Sequence, residues 1–438
     1  MGTILIDGYN LGLEKGTGVA TYARNLSYEL HEMGHRVAVL YGNRGSPNRD
    51  DLLSEIAFFD GPVERNRLIE LIDRARQALR SPLDYRAHRV PITGRVEART
   101  FSARLPFFDT LYNANEIFHN AHGAYWLWGK RVGVRMPERP DLAHWTYPLP
   151  VHIPKVPNIY TMHDLVPLKL PYTTLDNKRR YLKLMRLLGE KADHIVTVSE
   201  NSKRDLVELI GIPESRISNT YQSVQIPAKF RDKPEDRVAR EVEGVTGFGY
   251  KEYLLFWGSL EPKKNIGRMI EAYMASKVST PLVIIGAQAW KAEKELALLS
   301  EGDPEKGLVS MIERRRGARK RIVRLDYAPF GLLVSLIRGA KAALFPSLYE
   351  GFGLPALEAM LLGTPVICSN TSSLPEVVGD AARLVDPYDT QAITAAIREL
   401  DADADLRAEL SARGIAQARL YSAENYRERL RGVYEQFL

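Results

Sequence analysis

Short apolar runs alternate along the chain with longer segments in which apolar residues recur every three or four positions. The short runs suit strands that are buried on both faces of a parallel sheet, and the longer segments suit helices packed on it. Predicted strands include 3–6, 142–146, 158–162, 194–198, 281–286 and 342–346. The chain has 438 residues, which is too long for one core. The pattern therefore predicts an α/β protein of two domains, each with its own sheet.

The first predicted strand leads into a glycine-rich loop and a helix. Gly16, Thr17 and Gly18 precede apolar positions with helical spacing, and Gly34 ends that helix. Free backbone N–H groups at a helix start bind anions, so Gly16 and Gly18 are candidates to contact a phosphate or a transferring sugar. A tight structural turn explains the same residues equally well. The loop fails as a dinucleotide fingerprint, because Thr21 stands in place of the third glycine.

From residue 43 to residue 140 the alternation loosens and arginine outweighs acid, so we interpret this span as an insertion into the first domain. Its aromatic residues Trp126 and Trp128 look exposed. A basic amphipathic surface suits peripheral contact with an anionic membrane; the alternative is a solvated helix that covers the domain. No nucleic-acid partner is expected, since no recognised binding module accompanies the arginines. They are Arg65, Arg67, Arg74, Arg76, Arg80, Arg86, Arg89, Arg95, Arg99 and Arg104.

Polar residues follow the predicted strand 158–162 directly. In open parallel sheets ligands bind beyond the carboxyl ends of the strands, which places His163 and Asp164 on the functional edge of the first domain. A structural histidine is the alternative. Residues 222–249 are polar and contain proline and glycine, so they are interpreted as a linker, and the domains are expected to span 1–225 and 226–422.

A strand predicted from Tyr253 ends in the turn GSLEPKKN, and a helix is predicted from Ile266. Two adjacent lysines at such a turn, Lys263 and Lys264, could meet a diphosphate. Solvated lysines are the alternative reading of this pair.

The strand 342–346 is followed by a turn that carries a carboxylate and two glycines. Gly351 and Gly353 let the backbone turn sharply and approach a ligand, and the helix predicted over 354–362 offers free N–H groups to an anion. Glu350 lies on the loop, and Glu358 lies about one turn inside the helix. Two carboxylate acceptors therefore flank one anion-binding site. A sugar nucleotide requires such an arrangement, because its diphosphate binds N–H donors and its sugar hydroxyls donate to carboxylates. Either glutamate alone is equally well explained as a solvated residue.

The composition of the chain bears on the class of protein, the ligands and the location to expect for such a site. Hydrophobic residues make up 45% and charged residues 26%, as in ordinary soluble enzymes. The net charge of +6 admits an acidic small molecule, nucleic acid or an anionic membrane surface. The one cysteine, Cys368, lies in an apolar run. The sequence has no apolar stretch of membrane-spanning length and does not begin with a signal peptide. We therefore expect a cytoplasmic location, which includes the inner face of the cytoplasmic membrane.

The motif EGFGLP, with its second glutamate eight residues after the first, resembles the signature of the retaining glycosyltransferases of family 4, which have the GT-B fold. GSLEPKKN is similar to the family segment G-x-L-x-P-x-K-N, and TMHDLVP to its histidine segment. The resemblance implies two Rossmann-like parallel-sheet domains with the donor site in the cleft between them. It also implies that the C-terminal helix, residues 423–438, crosses back onto the first domain.

The resemblance also implies roles for individual residues. Glu350, Lys264 and His163 would be catalytic: Glu350 would bind the donor sugar, Lys264 the diphosphate, and His163 with Asp164 the acceptor side. Glu358 would bind the ribose. Some members carry Arg after the glycine of the lysine motif where this chain has Ser259, so Lys263 is only a candidate for a second cationic contact. Tyr327 and Ala328 would border the nucleobase. The remaining donor-binding candidates are Gly16, Gly18, Ser259, Gly351, Phe352, Gly353 and Leu354.

The implied function is transfer of a hexose, of the mannose or rhamnose type, from a nucleotide sugar to a hydroxyl of a glycan or polyprenyl-linked acceptor in polysaccharide, O-antigen or glycolipid synthesis. GDP-mannose is the first expectation for the donor, with UDP- and dTDP-sugars as alternatives, and neither a cofactor nor a metal is expected. Asp401 and Asp403 match the Asp-x-Asp pattern of metal-dependent transferases, but we interpret 401–405 as an inter-helix turn whose last residue, Asp405, caps a helix. The alternatives are a GT-B sugar-nucleotide epimerase and a noncatalytic glycan- or lipid-binding scaffold.

Overall fold

The computed structural model describes residues 1–11, 18–44, 50–60, 85–96, 105–289 and 322–438. Its described part contains two large sheets of mostly parallel strands with helices on their faces, which confirms the predicted α/β class. The strands are short and buried on both faces, as β1 shows with the buried residues Ile4, Leu5 and Ile6.

The first sheet is built from strands between residues 3 and 219. The strands of this half are β1 Thr3–Asp7, β2 Arg36–Tyr41, β3 Tyr85–Arg86, β4 His88–Val90, β5 Thr110–Asn113, β6 Val132–Arg135, β7 Leu142–Trp145, β8 Val151–His152, β9 Asn158–Thr161, β10 His194–Thr197 and β11 Ile217–Asn219. Eight of them pair in the order β11-β10-β9-β7-β1-β2-β5-β4, and β4 alone is antiparallel to its neighbour. Strands β3, β6 and β8 form a small separate sheet. The carboxyl ends of β1, β7 and β9 therefore share one edge.

Helices cover both faces of this sheet. They are α1 Gly18–Glu32, α2 Asp51–Phe59, α3 Ile117–Trp128, α4 Val166–Lys169, α5 Lys178–Lys191 and α6 Glu200–Asp205. Helix α1 buries Ala23, Leu26 and Leu30, the apolar positions that predicted it. The side chain of Ser199 accepts a hydrogen bond from the Ser202 N–H at 3.0 Å and so caps α6.

The span 43–140 is not wholly an insertion. It contains β5, which pairs with β2 and with the edge strand β4 and so belongs to the first sheet, and α3, which packs beside it. The sequence hid this strand because it is only four residues long. Of the predicted arginine cluster, Arg86, Arg89 and Arg95 are described; Arg65, Arg67, Arg74, Arg76, Arg80, Arg99 and Arg104 lie outside the described residues.

The second sheet has six parallel strands among the described residues. They are β12 Leu254–Trp257, β13 Leu282–Ile285, β14 Ile322–Leu325, β15 Ala342–Phe345, β16 Val366–Ser369 and β17 Arg383–Val385. The order β14-β13-β12-β15-β16-β17 is that of the Rossmann fold. It reverses direction between β12 and β15, and sheets of this kind bind ligands in the crevice beyond the carboxyl ends at such a point.

Helices of the second half are α7 Ala228–Arg231, α8 Glu235–Thr246, α9 Ile266–Ser276, α10 Phe330–Gly339, α11 Leu354–Leu361, α12 Leu374–Val378, α13 Thr390–Ala402 and α14 Ala404–Ala418. The stretch 222–249, predicted as a linker, contains α7 and α8. Helix α8 packs on α10, where a Cβ on Gly339 would lie 2.7 Å from Val242. These helices therefore belong to the second domain, and the boundary at residue 225 stays a prediction.

The last helix, α15 Ala423–Tyr434, lies against the first domain. The Arg427 guanidinium is 2.9 Å from the carboxylate of Glu29 on α1, and the Tyr434 hydroxyl hydrogen-bonds to His144 Nδ1 at 2.5 Å. Cys368 is buried in β16 as a free thiol. None of the helices in the described part of the chain is long and apolar enough to span a bilayer.

Candidate active site

The central carboxylate of the candidate site, Glu350, follows β15. Glu350 is 8% exposed, so its polar atoms need hydrogen-bond partners inside the protein. Oε1 accepts a hydrogen bond from the Ser347 hydroxyl at 2.7 Å, and the Glu350 backbone N–H donates to the Ser372 hydroxyl at 3.0 Å. The Ser373 hydroxyl donates to the Glu350 carbonyl at 2.9 Å. Loops that follow β15 and β16 therefore hold Glu350 in place.

Lys264 completes this arrangement from the loop that follows β12. Its Nζ lies 2.7 Å and 2.9 Å from the two carboxylate oxygens of Glu350. Burial raises the pKa of Glu350, but Lys264 and Lys263 oppose it and the net pKa is lowered. Glu350 is thus an anion that accepts hydrogen bonds and does not donate them.

Asn265, which was not singled out from the sequence, fixes the lysine turn. Its backbone is left-handed, with φ of 59°. Its side-chain amide donates to the carbonyls of Pro346 at 2.9 Å and Pro387 at 2.7 Å. One residue therefore ties the loops after β12, β15 and β17 together. Asparagine is among the few residues that adopt this conformation readily, so an asparagine at the end of the lysine turn was the feature of the sequence that could have identified it.

Lys263 lies close enough to the first domain for its charge to interact with that of Asp164. Its Nζ is 3.6 Å from Glu261, whose carboxylate also accepts a hydrogen bond from the Ser259 hydroxyl at 3.0 Å. Burial lowers the pKa of Lys263, but Glu261, Asp164 and Glu350 raise it, and the net pKa is raised. Lys263 is therefore positively charged, and carboxylates of both domains stabilise that charge.

Helix α11 begins at the glycine turn. Gly353 has φ of 111°, and a Cβ there would lie 2.8 Å from Leu374, so the turn needs glycine. Leu354 is the first residue of α11, and the partly buried Glu358 lies one turn inside it. The Trp257 indole N–H donates to Glu358 Oε2 at 3.1 Å. Burial raises the pKa of Glu358 to about 7, although the Trp257 hydrogen bond lowers it. The two glutamates therefore differ in charge near neutral pH.

The starts of α1 and α11 face each other across the cleft. A Cβ on Gly18, the first residue of α1, would lie 3.9 Å from Cδ1 of Leu354. Each helix start has backbone N–H groups without partners in its own helix. Two such starts on one cleft give a place for a doubly charged anion. Gly16 lies outside the described residues.

The turn of the second domain also touches the first domain. A Cβ on Gly351 would lie 3.0 Å from the His163 carbonyl oxygen and 3.1 Å from the Asp164 carboxylate. The Gly351 carbonyl accepts a hydrogen bond from the Ser199 hydroxyl at 2.7 Å. The predicted residues His163, Asp164 and Gly351 are thus brought together, and any side chain larger than that of glycine would require the turn or its neighbours to shift. Phe352 beside them is buried in the core.

His163 has a defined orientation. Its Nε2 lies 2.9 Å from the carbonyl oxygen of Thr146 after β7, and a carbonyl only accepts, so Nε2 carries the hydrogen. The ring meets the edge of Tyr22 at 4.8 Å between centroids. Burial lowers the pKa of His163, while the Thr146 carbonyl and Asp164 oppose the shift. The neutral ring leaves Nδ1 as a hydrogen-bond acceptor.

Asp7, at the end of β1, supports this orientation and was not singled out from the sequence. Its fully buried carboxylate accepts a hydrogen bond from the Thr146 N–H, and the Tyr9 N–H lies 3.3 Å from Oδ1. Burial raises the pKa of Asp7 to about 6, against hydrogen bonds that lower it. An acidic residue that ends a buried strand was the signal in the sequence.

The two nucleobase candidates lie after β14. Tyr327 is 77% exposed and Ala328 is 8% exposed. Because β14 is parallel to β13 and β12, its carboxyl end lies on the same side of the second sheet as the lysine turn. Among the described residues no hydrogen bond or ion pair joins either residue to Glu350, Glu358 or Lys264, and their role stays a prediction.

The Asp-x-Asp segment spans the junction of α13 and α14, and Asp403 is the one residue between them, so the predicted turn is shorter than 401–405. The capping residue is Asp403, whose side chain accepts from the Leu406 N–H at 2.9 Å, so the expectation that Asp405 caps the helix is wrong. Asp405 lies in the first turn instead, where a carboxylate also suits the helix dipole. Asp401 is 2.6 Å from Lys341. Across the described residues no group of three His, Cys, Asp or Glu side chains is placed to hold a metal.

Comparison with known proteins agrees with the motifs EGFGLP and GSLEPKKN. A family model of glycosyl transferases group 1 matches residues 242–417, and a model of glycosyltransferase family 4 matches residues 16–224. The first match covers the lysine turn, Glu350 and Glu358, and the second covers His163 and Asp164.

Individual relatives agree with the family models. The O-antigen chain mannosyltransferase B of Escherichia coli is 35% identical over 273 residues, which are 61% of this chain and 67% of the relative. The serotype-specific mannosyltransferase WbdA of Escherichia coli is 28% identical over 269 residues, 60% of this chain but only 31% of the relative. Alr3699/HepE from Anabaena, solved in complex with UDP and glucose, has a TM-score of 0.63 at 12% identity, and the match covers 100% of both chains. This likeness shows the fold.

Proposed function

The chain belongs to glycosyltransferase family 4 and has the GT-B fold, and from that premise we propose a retaining hexosyltransferase that moves mannose from GDP-mannose to a glycan hydroxyl. The observation that carries the proposal is the Lys264–Glu350 pair in the crevice between β12 and β15, with the starts of α1 and α11 facing each other beside it. That crevice offers positive charge for a diphosphate and carboxylates for sugar hydroxyls at adjacent positions.

Departure of the nucleoside diphosphate is the step that these residues would assist. Negative charge grows on the diphosphate as its bond to the sugar breaks, and donors already in position stabilise that charge without reorganising. Lys264, Lys263 and the N–H groups at the start of α11 are the donors in this proposal. Because the cations are side chains, we propose that no metal is needed; transfer that survives an excess of chelator would support this.

Glu350 and His163 would hold the two reacting sugars. Ionised Glu350 accepts hydrogen bonds from hydroxyls of the donor sugar, and the lone pair on His163 Nδ1 accepts one from a hydroxyl that lies between donor and acceptor. Asp164 lies on the acceptor side of that histidine. No residue of the site is assigned as a nucleophile, so in this proposal the leaving diphosphate and the attacking hydroxyl lie on the same side of the sugar.

The base and the sugar are proposed from the relatives. Two relatives with extended alignments are named mannosyltransferases, which favours a mannosyl donor, and UDP- and dTDP-sugars remain the alternatives. Glu358 would accept hydrogen bonds from the ribose hydroxyls, and Tyr327 with Ala328 would border the base. Ser259 would leave the second cationic contact to Lys263.

The acceptor and the setting are proposed from the same likeness. A growing surface polysaccharide, such as O-antigen on a polyprenyl carrier, would supply the hydroxyl at the inner face of the cytoplasmic membrane. Peripheral contact with anionic lipid through residues 43–140 is part of the proposal.

A panel of nucleotides and sugar nucleotides tests the function directly. A ligand that binds only the native state raises the melting temperature, so GDP and GDP-mannose are expected to give larger shifts than UDP, dTDP or ADP and their sugar conjugates. Release of GDP that depends on added acceptor would then identify a transferase. A changed sugar nucleotide formed without acceptor would identify an epimerase, and absence of turnover with every donor would favour the noncatalytic scaffold.

A further inference from the structure

A surface of the first domain combines exposed tryptophans with arginines and lysines, most of which have no carboxylate partner among the described residues. It consists of the C-terminal end of α3, with Trp126, Leu127 and Trp128, and the outer face of α5; we call it the basic–aromatic surface. The cations of α5 that belong to it are Arg179, Arg180, Lys183, Arg186 and Lys191.

The end of α3 exposes three large apolar residues in a row. Trp126 is 58% exposed, Leu127 49% and Trp128 56%. Gly129 then ends the helix in the left-handed conformation, with φ of 64°. Exposed single apolar residues are common, but two tryptophans and a leucine at one helix end form a contiguous patch of the kind that marks an interaction site.

Helix α5 supplies the charge. Its apolar positions Leu184, Met185 and Leu188 are buried, which directs the five cations named above to the outer face. One acid, Glu190, shares that face, and it lies 2.7 Å from Lys191. Among the described residues no carboxylate lies within 4.0 Å of the other four cations. Their positive charge is therefore not neutralised within this part of the fold.

The two elements form one surface. The Arg180 guanidinium lies 4.6 Å from the centre of the Trp126 ring, and the Tyr125 hydroxyl is 3.4 Å from the Arg180 carbonyl, to which it donates. The cations thus begin directly beside the tryptophans.

We infer that the basic–aromatic surface docks the protein on the anionic headgroup layer of a membrane. Tryptophan prefers the boundary between headgroups and acyl chains, and neighbouring cations are attracted to anionic lipid. The uncompensated charge on α5 is complementary to such a layer. The tryptophans of this surface lie within the span 43–140, whereas its cations lie on α5, outside that span and apart from the arginines singled out in the sequence.

The basic–aromatic surface lies close to the cleft, so docking would bring a lipid-linked acceptor near the site; this step rests on the proposed function. Tyr181 follows Arg180 on α5, and its hydroxyl donates to the Asp164 carbonyl at 3.0 Å. The basic–aromatic surface therefore adjoins the acceptor side of the site. A glycan on a lipid carrier could reach His163 while its carrier stayed in the bilayer.

Vesicle sedimentation of the full chain tests the inference without donor or acceptor. We expect binding to phosphatidylcholine vesicles that contain phosphatidylglycerol, weak binding to phosphatidylcholine alone, and loss of binding at high salt. Each cation near such a surface contributes about 1 kcal/mol, or about fivefold in affinity, so Lys183→Glu with Arg186→Glu should weaken binding at least tenfold. Trp126→Ser with Trp128→Ser should weaken it too, and should abolish fluorescence quenching by brominated lipid at these positions.

The matched control is Arg237→Glu with Arg240→Glu on α8, which makes the same change in net charge at side chains 62% and 74% exposed. It should leave vesicle binding much closer to that of the unaltered protein. Equal losses in both charge variants, equal binding to neutral vesicles, or binding to duplex DNA in place of vesicles would overturn the inference. Transfer to a water-soluble acceptor should be unchanged in the surface variants; if transfer fails in every protein while vesicle binding behaves as expected, the proposed function fails and the docking surface stands.

Discussion

Two glutamates eight positions apart have different environments. Glu350 is paired with Lys264 and has a lowered pKa, whereas Glu358 contacts the Trp257 indole and has a pKa raised to about 7 by burial. At pH 7 the first is therefore an anion and the second is divided between its two forms. A protonated carboxyl group has fewer acceptor sites, so if Glu358 accepts hydrogen bonds from both ribose hydroxyls, donor binding favours its ionised form.

This difference predicts a pH dependence of donor affinity. Below pH 7 the unliganded protein holds Glu358 protonated and must release that proton to bind, so affinity falls as pH falls. With a pKa near 7, the dissociation constant for GDP-mannose should rise about tenfold from pH 8 to pH 6. The sugar nucleotide is the suitable ligand because its diester diphosphate does not titrate in this range. Calorimetric titration at several pH values checks this; Glu358→Gln should give a flat profile, and an unchanged slope in that variant would contradict the assignment.

Removal of Lys264 tests the cation at the same scale. Lys264→Ala removes the donor closest to Glu350, and we expect turnover of GDP-mannose per folded molecule to fall at least about 100-fold, a size typical for loss of one donor to developing charge. It also leaves Glu350 buried without its partner, so the melting temperature should fall. The control is Lys341→Ala, which breaks the 2.6 Å pair with Asp401 far from the cleft. That variant should lose stability and keep turnover; equal losses of turnover in both variants would refute a specific role for Lys264.

At the scale of elements, the site consists of loops at the carboxyl ends of parallel strands. The turn after β15 approaches the first domain so closely that a methyl group at Gly351 would lie 3.0 Å from the His163 carbonyl. This contact is tighter than ordinary packing, so either the turn or the first domain must shift to admit a side chain. The glycine therefore sets how far the two domains close.

Gly351→Ala should lower turnover while the fold stays intact, because the strain falls on the contact between the domains and not on either core. We expect a several-fold lower kcat in steady-state assays and a melting temperature within a few degrees of the parent. Gly432→Ala, on α15, is the matched change, since a Cβ there has no atom within 4 Å. Full activity in Gly351→Ala would show that the close approach is not required.

Elements of this kind were largely predictable from the sequence. Strands such as 342–346 and the helix from Leu354 follow from buried runs and helical periodicity, and the motifs identified Lys264, Glu350 and Glu358. The pairing of Lys264 with Glu350 was not predictable, because it depends on β12 and β15 being neighbours although they are far apart in the chain. Short strands such as β5 were missed within an irregular span. Asp403 was missed as a cap because two aspartates lie at the same helix start.

At the scale of the whole molecule, contacts across the cleft hold the domains together. The carboxylate of Glu376 accepts hydrogen bonds from the N–H groups of Glu200 at 3.0 Å and Asn201 at 3.2 Å, at the start of α6. The Tyr349 hydroxyl donates to Asp205 at 2.6 Å. Both contacts join the second domain to α6. They lie beside Gly351 and the Ser199 hydroxyl, so the contacts that join the domains surround the candidate site.

The contact of α15 with α1 predicts a stability defect. Arg427→Ala leaves the Glu29 carboxylate, 1% exposed, without its cation, and we expect a loss of about 3 kcal/mol and a clear fall in melting temperature. Burial already raises the pKa of Glu29 although Arg427 lowers it, and without Arg427 the pKa should rise further. A carboxyl whose folded pKa is raised destabilises the fold above its unfolded pKa, so the defect should be larger at pH 8 than at pH 5.

Two variants complete this experiment. Arg383→Ala breaks an exposed 2.7 Å pair with Glu399 and should change the melting temperature little. Glu29→Gln combined with Arg427→Met should recover part of the loss, because no buried charge remains. A defect in Arg427→Ala that is small or independent of pH would contradict the role given to this pair.

The central claim is that the crevice between the domains transfers a hexose with retained configuration, and nuclear magnetic resonance of the reaction tests it most directly. GDP-mannose labelled with ¹³C at the anomeric carbon would be incubated with a lipid-linked glycan acceptor and the unaltered protein, with Lys264→Ala and Lys341→Ala alongside. We expect a mannosylated acceptor with an α-linkage, as in the donor, formed by the parent and by Lys341→Ala but not by Lys264→Ala. A β-linked product, or a changed sugar nucleotide formed without acceptor, would contradict it.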